Sequence, residues 1–401
     1  MIFLCLNLGS QKEKEKIRDV VNLNKVLRIH EQDTGVLSMQ AGIRIRSKDD
    51  LAEAYTPGVG ELAKLIETDE SAKNKYTLSG KLVALVTDGT AVLGLGNIGP
   101  AGGLPIVEGK ALIYKQFSGV DALPLAINPV PIAEFVETIK NIAKSFAGIH
   151  LEDIAAPRCF EIEDKLKAAL DIPVYHDDQT GTAIVVLAAL INAARLVDKP
   201  ITELRVLMHG VGASGLATAK LLYRFGITQL TLVDIHGKIT EKDTRYNHYQ
   251  RKFSAKIQQG QGQSLDELIT GQDVFIGLSD RDVLSVQQVR RMTEDCIVFA
   301  LANPRPEIAP DLAKAAGVKI MATGSSQYPN QVNNLLVFPG LFKGLLETHL
   351  KTVDEGLQIK VAQALSHLTV KPKVDNLIAN VFDEGVVDTV VSAVKAYASD
   401  K

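Results

Sequence analysis

The sequence predicts an α/β protein in two parts, an N-terminal α/β half followed by a C-terminal doubly wound parallel sheet. Three observations carry this expectation. From residue 204 onward, LRVLMHG, QLTLVDI, DVFIGLS, CIVFALAN and VKIMATG are short apolar runs separated by helical or loop segments. That alternation marks a parallel sheet with covering helices. The first run leads into Gly210-Val211-Gly212-Ala213-Ser214-Gly215, a turn of the form Gly-x-Gly-x-x-Gly. Upstream, AGIHL and IPVY read as two strands around a helix-like segment, and each strand closes on an acidic pair, Glu152-Asp153 and Asp177-Asp178.

At 401 residues the chain is long enough for two cores. We expect residues 1–180 to form one domain and 181–401 the other. Apolar residues make up 46% and charged residues 23%, ordinary for a globular protein. A net charge of −3 gives no support to nucleic-acid or membrane-surface binding. Cys5, Cys159 and Cys296 show no paired spacing, which argues against a disulfide framework or a zinc site and fits a reducing compartment. The opening MIFLCLNLG lacks a basic n-region and a clear cleavage site, so it does not read as a signal peptide. No run approaches the roughly 18 apolar residues of a membrane span. The cytoplasm is the expected location.

In chain order, Val20, Val21, Leu23 and Val26 can line one face of a helix within residues 11–35. Ser47 and Asp50 stand at capping-box spacing before a helix through LAEAY. TPGVG breaks it, and ELAKLIE starts another. Residues 82–96, two apolar runs around Asp88-Gly89, predict a β-hairpin, and NIGPAGGLP a glycine-rich loop. EGKALIYKQF reads as a helix, DALPLAIN as a strand and PIAEFVETIKNIAKSFA as a helix. Pro157 opens the helix between the two acidic pairs, with Phe160, Ile162, Leu166 and Leu170 apolar. GTAIVVLAALINAARLV is apolar nearly all round and predicts a buried helix joining the halves. HGKITEKDTRYNHYQRKFSAK is a polar surface excursion, and the tail from Lys351 predicts two helices around a break at Pro372.

A strand–helix–strand crossover returns the chain to the same sheet edge, so the acidic pairs should meet although about 25 positions separate them. Carboxylates brought together repel unless a cation neutralises them. An all-oxygen site without nearby cysteine suits a hard ion, Mg2+ or Mn2+. At residues 210–215 glycines permit a tight turn and close backbone approach, and the helix N-terminus receives a pyrophosphate. Asp234 closes the second strand of that unit, where an acid accepts from a ribose 2′-hydroxyl and repels a 2′-phosphate, favouring NAD over NADP. Tyr55, before a Pro-Gly break, becomes an acid candidate only if it faces the carboxylates, and Lys110 is a base candidate if buried beside a metal. Asn303 and the pair Asn333-Asn334 lie just beyond strands of the second sheet, where neutral amides can donate to a substrate carboxylate. His176 reads as a structural hydrogen-bonding residue, and Cys159 and Cys296 as inert core thiols.

Several segments together resemble the malic enzymes, in particular their short bacterial branch. They are AYTPGVGEL, VTDGTAVLGLGNIG, VEGKALIYK, GIHLEDIAAPRCFEIE, IPVYHDDQTGTA, GVGASG, ALANPRPEI and ATGSSQYPNQVNNLLVFPG, spanning roughly residues 50–345 in the family's order. The resemblance implies a divalent metal on Glu152, Asp153 and Asp178 with Asp177 beside them, Lys110 as general base and Tyr55 as general acid. It places Asn303 and Asn334, with Asn333 nearby, around substrate and nicotinamide. Larger members carry an arginine before their LGLG segment that grips malate. This chain has Gly89-Thr90-Ala91-Val92 there, so the loop at Thr90 and the asparagine pair are expected to hold the carboxylate. It also has Thr180 where short relatives often have histidine. The implied activity is NAD-dependent oxidative decarboxylation of (S)-malate to pyruvate, by a homodimer. Malolactic decarboxylation and a non-catalytic NAD-sensing module are the alternatives.

Overall fold

A computed structural model of the chain describes residues 22–92 and 94–401. The opening apolar segment, Cys5, Val20 and Val21 lie outside the described residues. The first sheet holds β1 (Leu82–Thr87), β2 (Asp121–Ala126), β3 (Gly148–Glu152) and β4 (Val174–His176), in the order β2-β1-β3-β4. All pairs are parallel, with Thr87 level with Glu152 and Leu151 level with His176. The carboxyl ends of β1, β3 and β4 therefore share one edge, and both acidic pairs meet there as the crossover argument requires.

The second sheet contains β5 (Val206–His209), β6 (Leu230–Asp234), β7 (Gly237–Lys238), β8 (Val274–Gly277), β9 (Ile297–Ala300) and β10 (Ile320–Thr323). Its order is β10-β9-β8-β5-β6-β7, parallel except for β7. This is the predicted doubly wound arrangement, and its five parallel strands fall on the five apolar runs.

Helix Thr182–Leu196 is buried along nearly its whole length and links the sheets. The stretch Asp177–Leu196 is long and apolar enough to cross a membrane, but it is spent inside this core. The tail forms the expected helices, Glu355–Leu368 and Val386–Ser399. Before them, helix Phe338–Thr348 seats Phe338 and Phe342 against Tyr114 and His150 of the first sheet's layer, so one apolar core runs through both halves.

Two expectations need correction. Residues 82–96 do not form a hairpin: β1 has parallel neighbours on both sides, which leaves no edge for an antiparallel return. Asp88 instead accepts from the backbone of Thr90 at 3.1 Å, and Gly89 takes φ +65° as the chain leaves the sheet. The glycine-rich segment is also not wholly a loop, because helix Gly99–Ile113 begins within it, with Pro100 in the first turn, where no N–H partner is needed.

Candidate active site

The site is built at the shared carboxyl edge of the first sheet. Lys110 reaches it from helix Gly99–Ile113. Its ammonium donates to Glu152 Oε2 at 2.6 Å and to Asp177 Oδ2. Asp177 is fully buried, and Tyr175 donates to its other oxygen. Burial favours neutral Lys110, but the carboxylates of Asp177, Glu152 and Asp178 outweigh it and hold the amine well above the usual lysine range. Behind Glu152, His150 Nε2 lies 3.0 Å from Oε2, and Tyr114 sits 2.8 Å from His150 Nδ1. Burial drives His150 down to about 3, so the ring is neutral. It donates to Glu152 and accepts from Tyr114.

Oxygens of Glu152, Asp153 and Asp178 lie within 4.8 Å of one another. A hard dication with oxygens at about 2.1 Å spaces neighbouring ligands roughly 3 Å apart and opposite ones roughly 4.2 Å apart, so the cluster has the right size. Asp153 Oδ2 is buried without a hydrogen-bond partner. The residue takes φ +55°, a left-handed backbone that costs a non-glycine residue on the order of 1 kcal/mol or more. Burial, reinforced by Glu152 and Asp178, pushes its carboxyl up to about 8. An orphaned oxygen, a strained backbone and crowded like charges are what a cation would relieve, and the donor set fits Mg2+ or Mn2+. Asp178 also accepts from the backbone of Asp153 at 3.0 Å, which ties the two strand ends together.

The turn after β5 fits a dinucleotide. Gly210 has φ +84°, and a Cβ there would lie 2.5 Å from Ser279 Cβ. A Cβ on Gly212 would meet nothing within 4 Å, which leaves open space over the turn. A Cβ on Gly215 would lie 2.0 Å from the carbonyl oxygen of Gly210, so the helix packs directly on the turn. Helix Ala213–Phe225 starts with Ala213 and Ser214, presenting its N-terminus, and Asp234 ends the neighbouring strand.

The remaining predicted residues divide. Asn334 packs over Gly181, its Cβ 3.0 Å from where a Cβ on that glycine would stand, which brings it next to Asp177. Asn333 caps the short helix Asn334–Leu336 by accepting from Leu335. Asn303 follows β9, and its backbone faces Gly94, so it lies where the halves meet. Asp177 and Thr90, also expected at the substrate, make internal bonds at the sheet edge. Both oxygens of Asp177 are engaged by Lys110 and Tyr175. The Thr90 hydroxyl donates to Asp88 and accepts from Ala155 at 2.9 Å, pinning the loop that carries Asp153. Tyr55 is the C-cap of helix Lys48–Ala54 and is 66% exposed, with no described contact to the cluster within one chain. His176 has both ring nitrogens buried without hydrogen-bond partners, so the expected structural bond is not made. Burial raises the thiols of Cys159 and Cys296, consistent with inert core residues.

Sequence reasoning missed the buried relay Tyr114–His150 and Tyr175, which look like core residues in an apolar run. It also missed Arg158, whose guanidinium pairs with Asp88 at 3.2 Å. Glu307 was missed as well: fully buried, it accepts from the backbones of Ala302 at 3.0 Å and Ser279 at 3.1 Å.

Comparison with known proteins agrees with this geometry. The family model for the malic enzyme N-terminal domain matches residues 36–130 and 130–167, and that for the malic enzyme NAD binding domain matches residues 179–383. An NAD-dependent malic enzyme of Geobacillus stearothermophilus is 43% identical over 363 residues, covering 90% of this chain and 76% of that one. A bifunctional malic/malolactic enzyme of Bacillus subtilis is 42% identical over 380 residues, covering 94% and 93%. The crystal structure of a malic enzyme from Pyrococcus horikoshii superposes with a TM-score of 0.89 at 39% identity, covering 95% of this chain and 91% of that one. With both family domains matched in order, and with a fold that superposes on a malic enzyme, the chain belongs to the malic enzyme family.

Proposed function

We propose that this chain oxidises (S)-malate with NAD+ and decarboxylates the product, releasing pyruvate, CO2 and NADH. Residues 1–180 serve as the substrate and metal half, and residues 181–401 as the dinucleotide half. The observation that carries the reading is the cluster of Glu152, Asp153 and Asp178 around an unsatisfied oxygen, with Lys110 bonded to Glu152. The names of the relatives from Geobacillus and Bacillus support it. We read the protein as a cytoplasmic enzyme acting on a small molecule.

Glu152, Asp153 and Asp178 hold the divalent ion, and residues 210–215 with Asp234 hold NAD, with Asn303 beside the nicotinamide. When bound, the ion draws electron density from the C2 oxygen of malate and the dinucleotide accepts the C2 hydride. Lys110 takes the proton of the C2 hydroxyl. Once its carboxylate neighbours are neutralised, burial dominates and favours the free amine, which makes it a base. Asn333 and Asn334 donate to a malate carboxylate without adding charge. Loss of C4 as CO2 from the resulting oxaloacetate leaves an enolate, and Tyr55 protonates its C3 to give pyruvate.

We read Tyr55, exposed and without a contact to the cluster of its own chain, as serving the site of a second copy. Helices Leu23–Gln32, Lys48–Ala54 and Gly58–Thr68 contain no buried residue, yet Leu23, Leu27, Ile29, Leu51 and Leu65 are exposed along them. Such an apolar surface calls for a partner, and a homodimer supplies one.

Asp178→Ala should abolish metal-dependent turnover and leave NAD affinity, read by calorimetry, within a factor of about two, because Asp178 lies outside the dinucleotide turn. Full activity of the native enzyme in EDTA would refute the metal assignment. Lys110→Ala should stop NADH production. The Bacillus relative's name favours one second reading, malolactic release of lactate without net NADH. Chromatography of products alongside NADH absorbance separates the two.

A further inference from the structure

A cavity of about 430 Å³ is lined by the last turns of helix Ala213–Phe225 and by helix His248–Ser254, and its lining includes no residue of the acidic cluster or of the fingerprint turn. Its charged walls are Lys220, Arg224, Lys252, Lys256 and Glu355, with Tyr249 as a flank. Only Arg224 is paired there, to Glu355 at 3.4 Å. Among the described residues, Lys220, Lys252 and Lys256 have no ion-pair partner, although the chain as a whole carries a net charge of −3. Lys220 is half-buried, its ammonium 5.9 Å from the centre of the Phe160 ring and 5.8 Å from that of Tyr249. Burial pulls its amine below the usual lysine range, even with Asp164 and Glu163 nearby. Glu163 is already engaged by Lys167 at 2.7 Å and Gln179 at 2.7 Å. Glu355 is the one acid in the lining and is already paired with Arg224, so four cations face one carboxylate, and a concave site of small-molecule size with three lysines free of ion pairs suits a polyanion.

We propose that this cavity binds a multiply charged phosphorylated small molecule as an effector, distinct from substrate and dinucleotide. Its position gives the ligand leverage on both halves. Phe160 belongs to helix Arg158–Ala169, which follows the metal-site loop. Lys220 and Arg224 belong to the helix that begins at the dinucleotide turn. Tyr249 and Lys252 share helix His248–Ser254 with Gln250, whose buried amide donates to the Val211 carbonyl inside that turn at 2.7 Å. A polyanion that draws Lys252 and Lys256 toward Lys220 therefore acts on the backbone that receives the pyrophosphate of NAD.

The test is calorimetric titration of the full-length protein with inorganic pyrophosphate and, separately, with ATP, each with and without saturating NAD. Lys252 and Lys256 are exposed, so the double variant K252E/K256E should fold normally. Binding that persists under saturating NAD and weakens at least about tenfold in K252E/K256E supports the site. Pyrophosphate and ATP binding alike assigns recognition to the phosphates, whereas ATP alone adds a contribution from the Tyr249 flank. Binding abolished by NAD but unchanged in the double variant would place both ligands in the dinucleotide turn and overturn the proposal, as would no heat from either ligand. None of these outcomes depends on malate turnover, so the proposed activity can fail without touching them.

Discussion

Glu307 shows how much one buried carboxylate organises. It is fully buried and accepts from the backbone N–H groups of Ala302 and Ser279, joining the loops after β9 and β8. Those loops carry Asn303 and close over Gly210, whose added Cβ would strike Ser279. Glu307→Gln keeps the size but turns one acceptor into a donor facing an N–H. The loss should be about 1–3 kcal/mol of stability, read as a lower denaturant midpoint, together with a raised KM for NAD and little change in KM for malate. His209, at the end of β5, lies 2.8 Å from Ser279 Oγ through Nδ1. Burial lowers its pKa from the usual 6.5, opposed by Asp234. The unfolded chain then takes up this proton before the folded one does. The stabilisation is complete above about pH 6.5 and is lost as pH falls toward the depressed folded value. Urea midpoints at pH 7.5 and 5.5 should therefore differ less in His209→Gln than in the native chain. An equal difference would show that another group carries the acid sensitivity.

Among the elements, helix Thr182–Leu196 has the least freedom to change. Its interior is apolar except for Asn192, which donates both amide hydrogens, to the carbonyls of Ser366 at 2.8 Å and Leu377 at 2.9 Å. Asn192→Ala strands both carbonyls in the core and should cost about 2–4 kcal/mol, seen in the unfolding midpoint with the catalytic constants of the remaining folded enzyme unchanged. Most elements were legible because their signals are local. Period and composition mark the strands of both sheets, and Ser47 and Asp50 make the reciprocal cap their spacing implies. The failures share a cause. Asp88-Gly89 signals a turn equally well whether the chain returns as a hairpin or leaves a parallel sheet, and only the neighbours of β1 decide. At the site, the acidic pairs could be found because each follows an apolar run that must become a strand. Glu307 could not, since its partner Ser279 is 28 positions away and ANPRPE reads as a solvated loop. The engagement of Asp177 by Lys110 was hidden for the same reason, since 67 positions separate them, whereas Tyr175 stands two positions before Asp177 inside an apolar run and reads as a core residue.

At the scale of the whole molecule, the separation of Tyr55 from Lys110 poses the sharpest question. Lys110 is sunk at the sheet edge, while Tyr55 is 66% exposed on an N-terminal arm whose helices bury nothing of their own. If Tyr55 serves the partner's site, each active site takes its lysine from one chain and its tyrosine from the other. Tyr55→Phe and Lys110→Ala homodimers should both be nearly inactive in malate decarboxylation. A mixed dimer of the two would contain one site with both mutations and one with neither. Random exchange of equal amounts puts about half the dimers in mixed form, each with one working site, so roughly a quarter of native activity should return. If Tyr55 instead folds back onto its own chain, every site in every dimer lacks one group and mixing restores nothing. Denaturing and refolding the variants together, then comparing turnover with the same variants refolded apart, distinguishes the two arrangements, and size-exclusion mass measurement on each sample shows whether the dimer formed at all.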